Sequence, residues 1–342
     1  MNHNTTAAIK YDIAKGRFNP NIRLTNMAMG YFQSLDNRPH KALFPYLPVQ
    51  LSTAAYYIWS KEDLLRDNVR RKPQFGKVDP AVISHDMGTY ECKVDQIILG
   101  IDQIMQLDYN RTNAPAIVRA ESAKSRTIAQ QMAIHNDIIF ANEFFKSGAW
   151  NDEWTGKTAS ASESANEFIK FSDANSQPIQ FFRKRITDMQ KKGRKANKLG
   201  LGVNTYEALI NHPDILGRVE GMGSSDNPAQ VNEIVLAKLF GLEKVVVFDS
   251  IANNSEVGQK EDMNFICDEN GALLVYAPNS PSVEEPSAGY TFTWDMLGDG
   301  QYMPVLRGEG EFGTHSEFIE GLLAVDMKKT ADDLGMFFAE CV

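Results

Sequence analysis

The sequence predicts an α+β protein with two outlying segments, an N-terminal arm and an extended hairpin. Three observations carry that prediction. Residues 113–147 form one long run with apolar residues at helical spacing. Several short stretches read as strands, and the continuous apolar run Lys244–Phe248 (KVVVF) is of the kind buried on both faces. Residues 1–50 and 56–77, by contrast, are rich in polar, aromatic, proline or charged residues and lack the periodicity of a packed element.

The first 50 residues alternate polar stretches with Phe18, Pro20, Tyr31, Phe32 and then Phe44-Pro-Tyr-Leu-Pro48, a pattern that fits an extended arm lying on something else. Residues 56–77 carry Lys61, Arg66, Arg70, Arg71, Lys72 and Lys77, and Lys72-Pro-Gln-Phe-Gly76 is turn chemistry. In 90–95, Tyr90, Cys92 and Val94 alternate with Glu91, Lys93 and Asp95, the period of a half-exposed strand. Together these stretches predict a long two-stranded excursion with a polar tip. For the long helix, Asn113 is the expected cap, Pro115 sits in the first turn and Gly148 is the stop. Ile117, Ala120, Ile128, Met132, His135 and Ile139 recur at spacings near three, four and seven. Such a helix spans roughly 50 Å at 1.5 Å per residue, long for a round core and suited to bracing a flat body.

Further along, residues 151–165 read as a polar loop. Residues 178–193 read as a helix with Ile179, Phe182, Ile186 and Met189 on one side. A short strand over Lys198–Val203, a short helix over Thr205–Asn211 and a helix over Glu233–Phe240 closed by Gly241 come next. Ala272–Ala277 and Tyr290–Trp294 read as strands, and apolar patterning resumes over Phe318–Val342.

Of the 342 residues, 43% are hydrophobic and 23% charged, which excludes a disordered or fibrous chain. Lys plus Arg total 35 and Asp plus Glu 44, a net charge of −9. An acidic chain is a poor dedicated reader of nucleic acid, because phosphate affinity comes from clustered cations. The start MNHNTTAAIKYDIAKG lacks the apolar core of a secretion signal, and no run approaches the roughly 18 apolar residues of a membrane span. Cys92, Cys267 and Cys341 are odd in number and widely spaced, which argues against a disulfide framework and fits a reducing compartment.

Catalytic signals are weak. The six histidines form no metal-ligand spacing with one another or with cysteine. Gly308-Glu-Gly-Glu-Phe-Gly313 matches GxGxxG, but Glu309 and Glu311 would repel a pyrophosphate, and a turn between strands is the better reading. The basic stretch from Arg183 to Lys198 reads as a solvated helix face, or as a surface that meets acidic groups on another subunit or on packed DNA. The last third of the chain is strongly acidic, an asymmetry that suits head-to-tail contacts between copies.

An ordered set of segments resembles the major capsid proteins of tailed bacteriophages and prophages, whose fold is shared with encapsulins. Leu43-Phe-Pro-Tyr-Leu-Pro-Val49 resembles the family's arm, and Arg70-Arg71-Lys72 its basic extended loop. Asp108-Tyr-Asn-Arg-Thr-Asn-Ala-Pro115 resembles the approach to the spine helix. Asn197–Val203 with Tyr206–Pro213, Leu236–Val247, Tyr276-Ala-Pro and Gly289–Trp294 are similar to the family's strands and helices beyond the spine. The resemblance implies an arm over 1–50, an extended loop over 51–101 and a peripheral domain over 102–200 with its spine helix at 113–147. It further implies an axial domain over 201–321 and a C-terminal return over 322–342. It implies no enzyme, metal or cofactor. The expected role is self-assembly into hexamers and pentamers of an icosahedral shell around double-stranded DNA, made in the host bacterial cytoplasm and ending in the virion. Expected partners are other copies, a portal protein, a separate scaffold or cement protein and packaged DNA contacted non-specifically, without a membrane. Arg66, Arg70, Arg71 and Lys72 are the expected intersubunit contacts. The alternatives are an encapsulin-like shell around protein cargo, or a soluble α+β enzyme with a cleft around His85, Asp86 and His315.

Overall fold

The computed structural model describes residues 38–59, 66–72, 74–82, 85–104, 115–220, 231–256, 258–283, 285–297, 303–311, 313 and 315–342. The arm up to residue 37, Lys61, the Asn113 cap and Phe312 lie outside the described residues.

The first of two main sheets is built on β14 (Ser316–Lys329). Along one edge β14 pairs antiparallel with β4 (Lys93–Asp102). Its other edge carries β13 (Val305–Glu309) and then β12 (Gly289–Trp294), and β1 (Tyr46–Val49) runs parallel to β12. The long helix α2 (Pro115–Glu143), which comes after the short α1 (Pro39–Leu43), lies across one face of this sheet. Its 29 residues span roughly 44 Å at 1.5 Å each. Ile128, Ala129, Met132 and Ala133 bury against Ile101, Ile319, Leu323 and Val325. Gly321 permits that approach: a Cβ there would stand 2.3 Å from Ile128 Cγ2. His135, half-exposed, reaches Asp95 on β4, whose carboxylate stands 3.7 Å from Nε2 and raises the imidazole pKa.

The second sheet runs β6 (Glu167–Ile169), β5 (Glu153–Lys157), β15 (Gly335–Ala339), β11 (Ala272–Val275), β7 (Lys198–Gly202), β8 (Lys244–Phe248). Both of its faces are covered, which is why its strands read as continuous apolar runs. Ala272, Leu274, Met336 and Phe338 face α3 (Pro178–Lys191), α5 (Pro213–Glu220) and α6 (Glu233–Phe240), with α4 (Val203–Ile210) beside them. Leu273, Val275 and Phe337 face an aromatic layer of Phe44, Phe140, Phe144, Phe145 and Trp150. One end of α2 therefore packs on the first sheet and the other end on the second.

The apolar stripe Ile179, Phe182, Ile186, Met189 is buried as its spacing predicts, and Gly241 closes α6 at φ +80°. Three details differ from the sequence reading. The segment 151–165 holds β5, whose Trp154 is buried under the Arg185 guanidinium, 3.9 Å from the ring centroid. The long helix ends at Glu143, because Phe144 and Phe145 turn into the second core before Gly148 is reached. Residues 39–49 of the expected arm pack in the chain's own core, with Leu43 and Phe44 fully buried. A polar clamp fixes that segment to α2. The buried Asp137 carboxylate accepts from Arg38 Nη1 at 3.0 Å and lies 2.6 Å from His40 Nδ1, while His40 Nε2 meets the Tyr46 hydroxyl at 2.9 Å.

Replacing Met132 with proline removes a backbone hydrogen bond in mid-helix and should cost about 3 kcal/mol or more. Urea unfolding followed by circular dichroism should show that loss, and an unchanged midpoint would contradict the helix's bracing role. All three thiols are buried. Burial, with the nearby Asp326 carboxylate second, pushes Cys92 up to about 12, and burial raises Cys267 and Cys341 further. At pH 8 the native protein should therefore react with a thiol reagent far more slowly than the urea-unfolded chain, and equal rates would contradict the packing.

Candidate assembly interface

The hairpin consists of β2 (Thr53–Trp59) and β3 (His85–Glu91), paired antiparallel from Thr53↔Glu91 to Trp59↔His85. A two-stranded ribbon has no core of its own and is marginal alone, so its base is anchored to the first sheet. Tyr90 stacks on Phe292 at 4.5 Å between centroids, and Tyr56 packs on the same ring at 5.3 Å. Gly88 lies flush on the Tyr56 ring, where a Cβ would come within 2.5 Å of Cζ. The Glu91 N–H donates to Asp326 Oδ2 at 2.8 Å, the Cys92 N–H to the Ser52 carbonyl at 2.8 Å, and Trp294 Nε1 to the Gln50 carbonyl at 3.2 Å.

Beyond that base the described residues 66–72 and 74–82 are exposed, apart from the half-buried Gly76. Arg66, Arg70, Arg71 and Lys72 all lie on the exposed tip. Arg70 Nη1 stands 3.5 Å from Asp79 Oδ2 across the loop, with both side chains largely in solvent. A pair so exposed contributes only about 0–1 kcal/mol. The tip also carries apolar side chains that the charge pattern had hidden. Val69 is 88% exposed, Phe75 98% and Val82 81%. Phe75 also has a φ of +64°, the left-handed region that disfavours a bulky side chain.

Other sequence signals resolve differently. Within the basic stretch, Lys184 pairs with Glu163, Lys192 with Asp152, Lys191 with Asp188 at 3.2 Å and Arg194 with Glu285 at 3.2 Å. Its acidic counterparts are thus largely within the chain. The GxGxxG run begins in β13 and, among its described residues, passes Gly313 at φ +88° into strand β14 rather than into a helix. His85 begins β3, whereas the His315 carbonyl accepts from the Gln103 N–H. The extended run 85–102 therefore separates His85 and Asp86 from His315, and the cleft of the enzyme reading is not formed. A Ser–His pair that the sequence did not suggest, Ser176 Oγ and His212 Nε2 at 2.9 Å, is buried. The Asp214 N–H donates to His212 Nδ1 at 3.1 Å, which leaves the proton on Nε2, so this imidazole donates and cannot act as a base toward Ser176. Among the described residues no group of three His, Cys, Asp or Glu is placed to hold a metal ion, and no helix is long and apolar enough to cross a membrane.

No protein-family model matches the chain, and no curated protein matches it in sequence. Solved structures match it in fold. A phage-related protein from Bordetella bronchiseptica RB50 superimposes with a TM-score of 0.68 at 18% identity, over 94% of this chain and 97% of that one. The virus-like particle from Pyrococcus furiosus gives 0.51 at 9% identity, over 92% and 97%. The capsid of Cyanophage P-SCSP1u gives 0.50 at 10% identity, over 87% and 85%. The mixed α+β architecture matches these structures over most of its length, and this chain has the tailed-phage capsid fold.

Proposed function

We propose that this chain is a structural shell subunit, copies of which join as hexamers and pentamers into an icosahedral container for double-stranded phage DNA. The observation that carries this reading is the hairpin tip, basic and apolar at once, which extends from a ribbon without a core of its own. Exposed Phe75 and Val69 are costly in a monomer that keeps them in water, and burial against another copy offsets that cost. The fold supports the same reading, since two of its solved relatives are a capsid and a virus-like particle. In this role the chain works in the virion capsid, after assembly in the host bacterial cytoplasm. It would meet a portal protein, a separate scaffold or cement protein, and packaged DNA through non-specific contacts, and it would perform no catalysis. Negative-stain imaging of the purified protein, with nucleic acid measured in any particles, tests the proposal. Closed particles from cells making DNA-filled virions support it, particles enclosing protein alone favour a cargo compartment, and a chain that stays monomeric at high concentration contradicts both.

The charge of the tip gives a second test. Arg66, Arg70, Arg71 and Lys72 are proposed as intersubunit contacts toward acidic surface on a neighbour. Each exposed pair is worth about 0–1 kcal/mol and is screened by salt, yet a shell repeats it at every subunit. Changing Arg70 and Arg71 together to Glu should leave the circular dichroism of the monomer unchanged and reduce particle yield. High salt should weaken wild-type particles in the same direction. Wild-type yield and salt tolerance in the double variant would make the tip a solvated loop.

A further inference from the structure

The second sheet ends at β8. Among the described residues β7 pairs with one side of β8 and no strand with the other. The Lys244 N–H donates to the Asn197 carbonyl at 3.2 Å, toward β7, and the parallel register from Lys198↔Lys244 to Gly202↔Phe248 continues that pairing. Backbone groups turn to alternate sides along a strand, so Lys244, Val246 and Phe248 face β7. The N–H and C=O groups of Val245 and Val247 therefore point to the free edge. Such an edge is a template for a further strand. The run Lys-Val-Val-Val-Phe contains no proline to blunt it, and its valines are strong strand formers.

Beside this edge runs a groove of about 360 Å³ between β8 and α6. Ile234 and Ala237 line it from the helix, Leu242 from the turn, and Val245 and Val247 from the strand. Ile234 is 63% exposed, an apolar side chain left in water next to the free backbone groups. Only residues 241–243 separate α6 from β8, and Leu236, Ala237 and Val245 share one core, so the helix runs back along the strand. Glu233 therefore lies toward the Asp249 end of the groove and Lys238 toward the Lys244 end. Glu243, near the second end, is engaged by Asn197 Nδ2 at 3.3 Å and Asn279 Nδ2 at 3.1 Å. The groove is thus acidic at one end, apolar in the middle and basic at the other.

We infer that this groove seats an extended segment of a partner protein, which pairs with β8 as a seventh strand of the sheet. An extended backbone presents N–H and C=O groups at the spacing of Val245 and Val247, which a helix does not. A groove of this volume holds the alternate side chains of one short strand and is too narrow for a helix about 10–12 Å across. The charges set the direction. Antiparallel pairing is the more stable kind, and it places the start of the segment by Glu233 and Asp249 and its end by Lys238 and Lys244. The segment that fits has a basic start, an apolar alternation and an acidic end. As a docking surface for a separate scaffold or cement protein the inference rests on the shell reading, whereas the pairing itself belongs to one folded chain.

The probe is a labelled synthetic peptide of alternating valine and threonine, with an arginine at its start and a glutamate at its end, added to the full chain. Fluorescence anisotropy should show saturable binding, tighter than that of the same peptide with arginine and glutamate exchanged. Amide exchange at Val247 should slow when the peptide is bound. Val247→Pro removes an edge N–H and leaves the bonds to β7, a place where a strand tolerates proline. It should keep the wild-type circular dichroism and weaken binding about tenfold or more. Lys238→Glu, on the exposed helix surface, should reverse the preference between the two peptides without altering the fold. No binding to the wild-type chain, equal binding by a folded Val247→Pro, or an unchanged preference in Lys238→Glu overturns the inference. So does slow exchange at Val247 without peptide: in the free chain it means that the chain covers its own edge, and in particles alone that a second copy does. None of these results bears on particle formation, which imaging decides. A chain that binds the peptide as expected and never forms particles contradicts the shell reading and leaves the pairing in place.

Discussion

The architecture hangs on one long ladder, the extended chain Ser316–Lys329. It pairs with β4 along one edge and with β13 and β12 along the other, and α2 lies across it where Gly321 lets Ile128 approach. A side chain at residue 321 would lift the helix off the sheet. The helix is also the bridge to the second sheet, through Phe140, Phe144 and Phe145. The buried Asp137 then fixes the segment 38–46 to the same helix, because a carboxylate at that depth is stable only with its cationic and hydrogen-bonded partners in place. The helix covers one face of the first sheet, and on the opposite face Ile98 and Phe318 stay partly exposed.

The hairpin owes its form to the same economy of core. Its base uses two tyrosines and one glycine to grip Phe292, and past that grip nothing in its own sequence can bury the side chains of the tip. Apolar side chains left in water are costly, and burial against another body would offset that cost. In the proposed shell a second copy supplies that surface, and a weak contact is repeated at every subunit.

Much of this was legible in the sequence wherever the signal was local. The helix over 178–191, the buried strand KVVVF, the Gly241 stop and the basic tip each depend on residues close together in the chain, and each is found. Signals that depend on distant residues were hidden. Trp154 reads as part of a polar loop until Arg185 is seen to cover it, and Arg185 reads as one charge in a basic run until its depth is known. Asp137 has no local pattern, because Arg38 and His40 lie 99 and 97 residues away. The alternation of Tyr90, Cys92 and Val94 was read correctly as one face of a strand, but where the cover on that face ends is set by β2, β12 and β14. Leu43 and Phe44 looked like part of an arm because their partners, on α2 and β12, come about a hundred residues or more later.

The central claim is that the tip takes its order from a neighbouring copy. Amide hydrogen exchange of peptides covering 66–82, read by mass spectrometry in intact particles and in the dissociated chain, tests it most directly. The account predicts slow exchange in particles and fast exchange in the free chain, with the core strands β11 and β15 slow in both. Equally fast exchange of the tip in both states would contradict it.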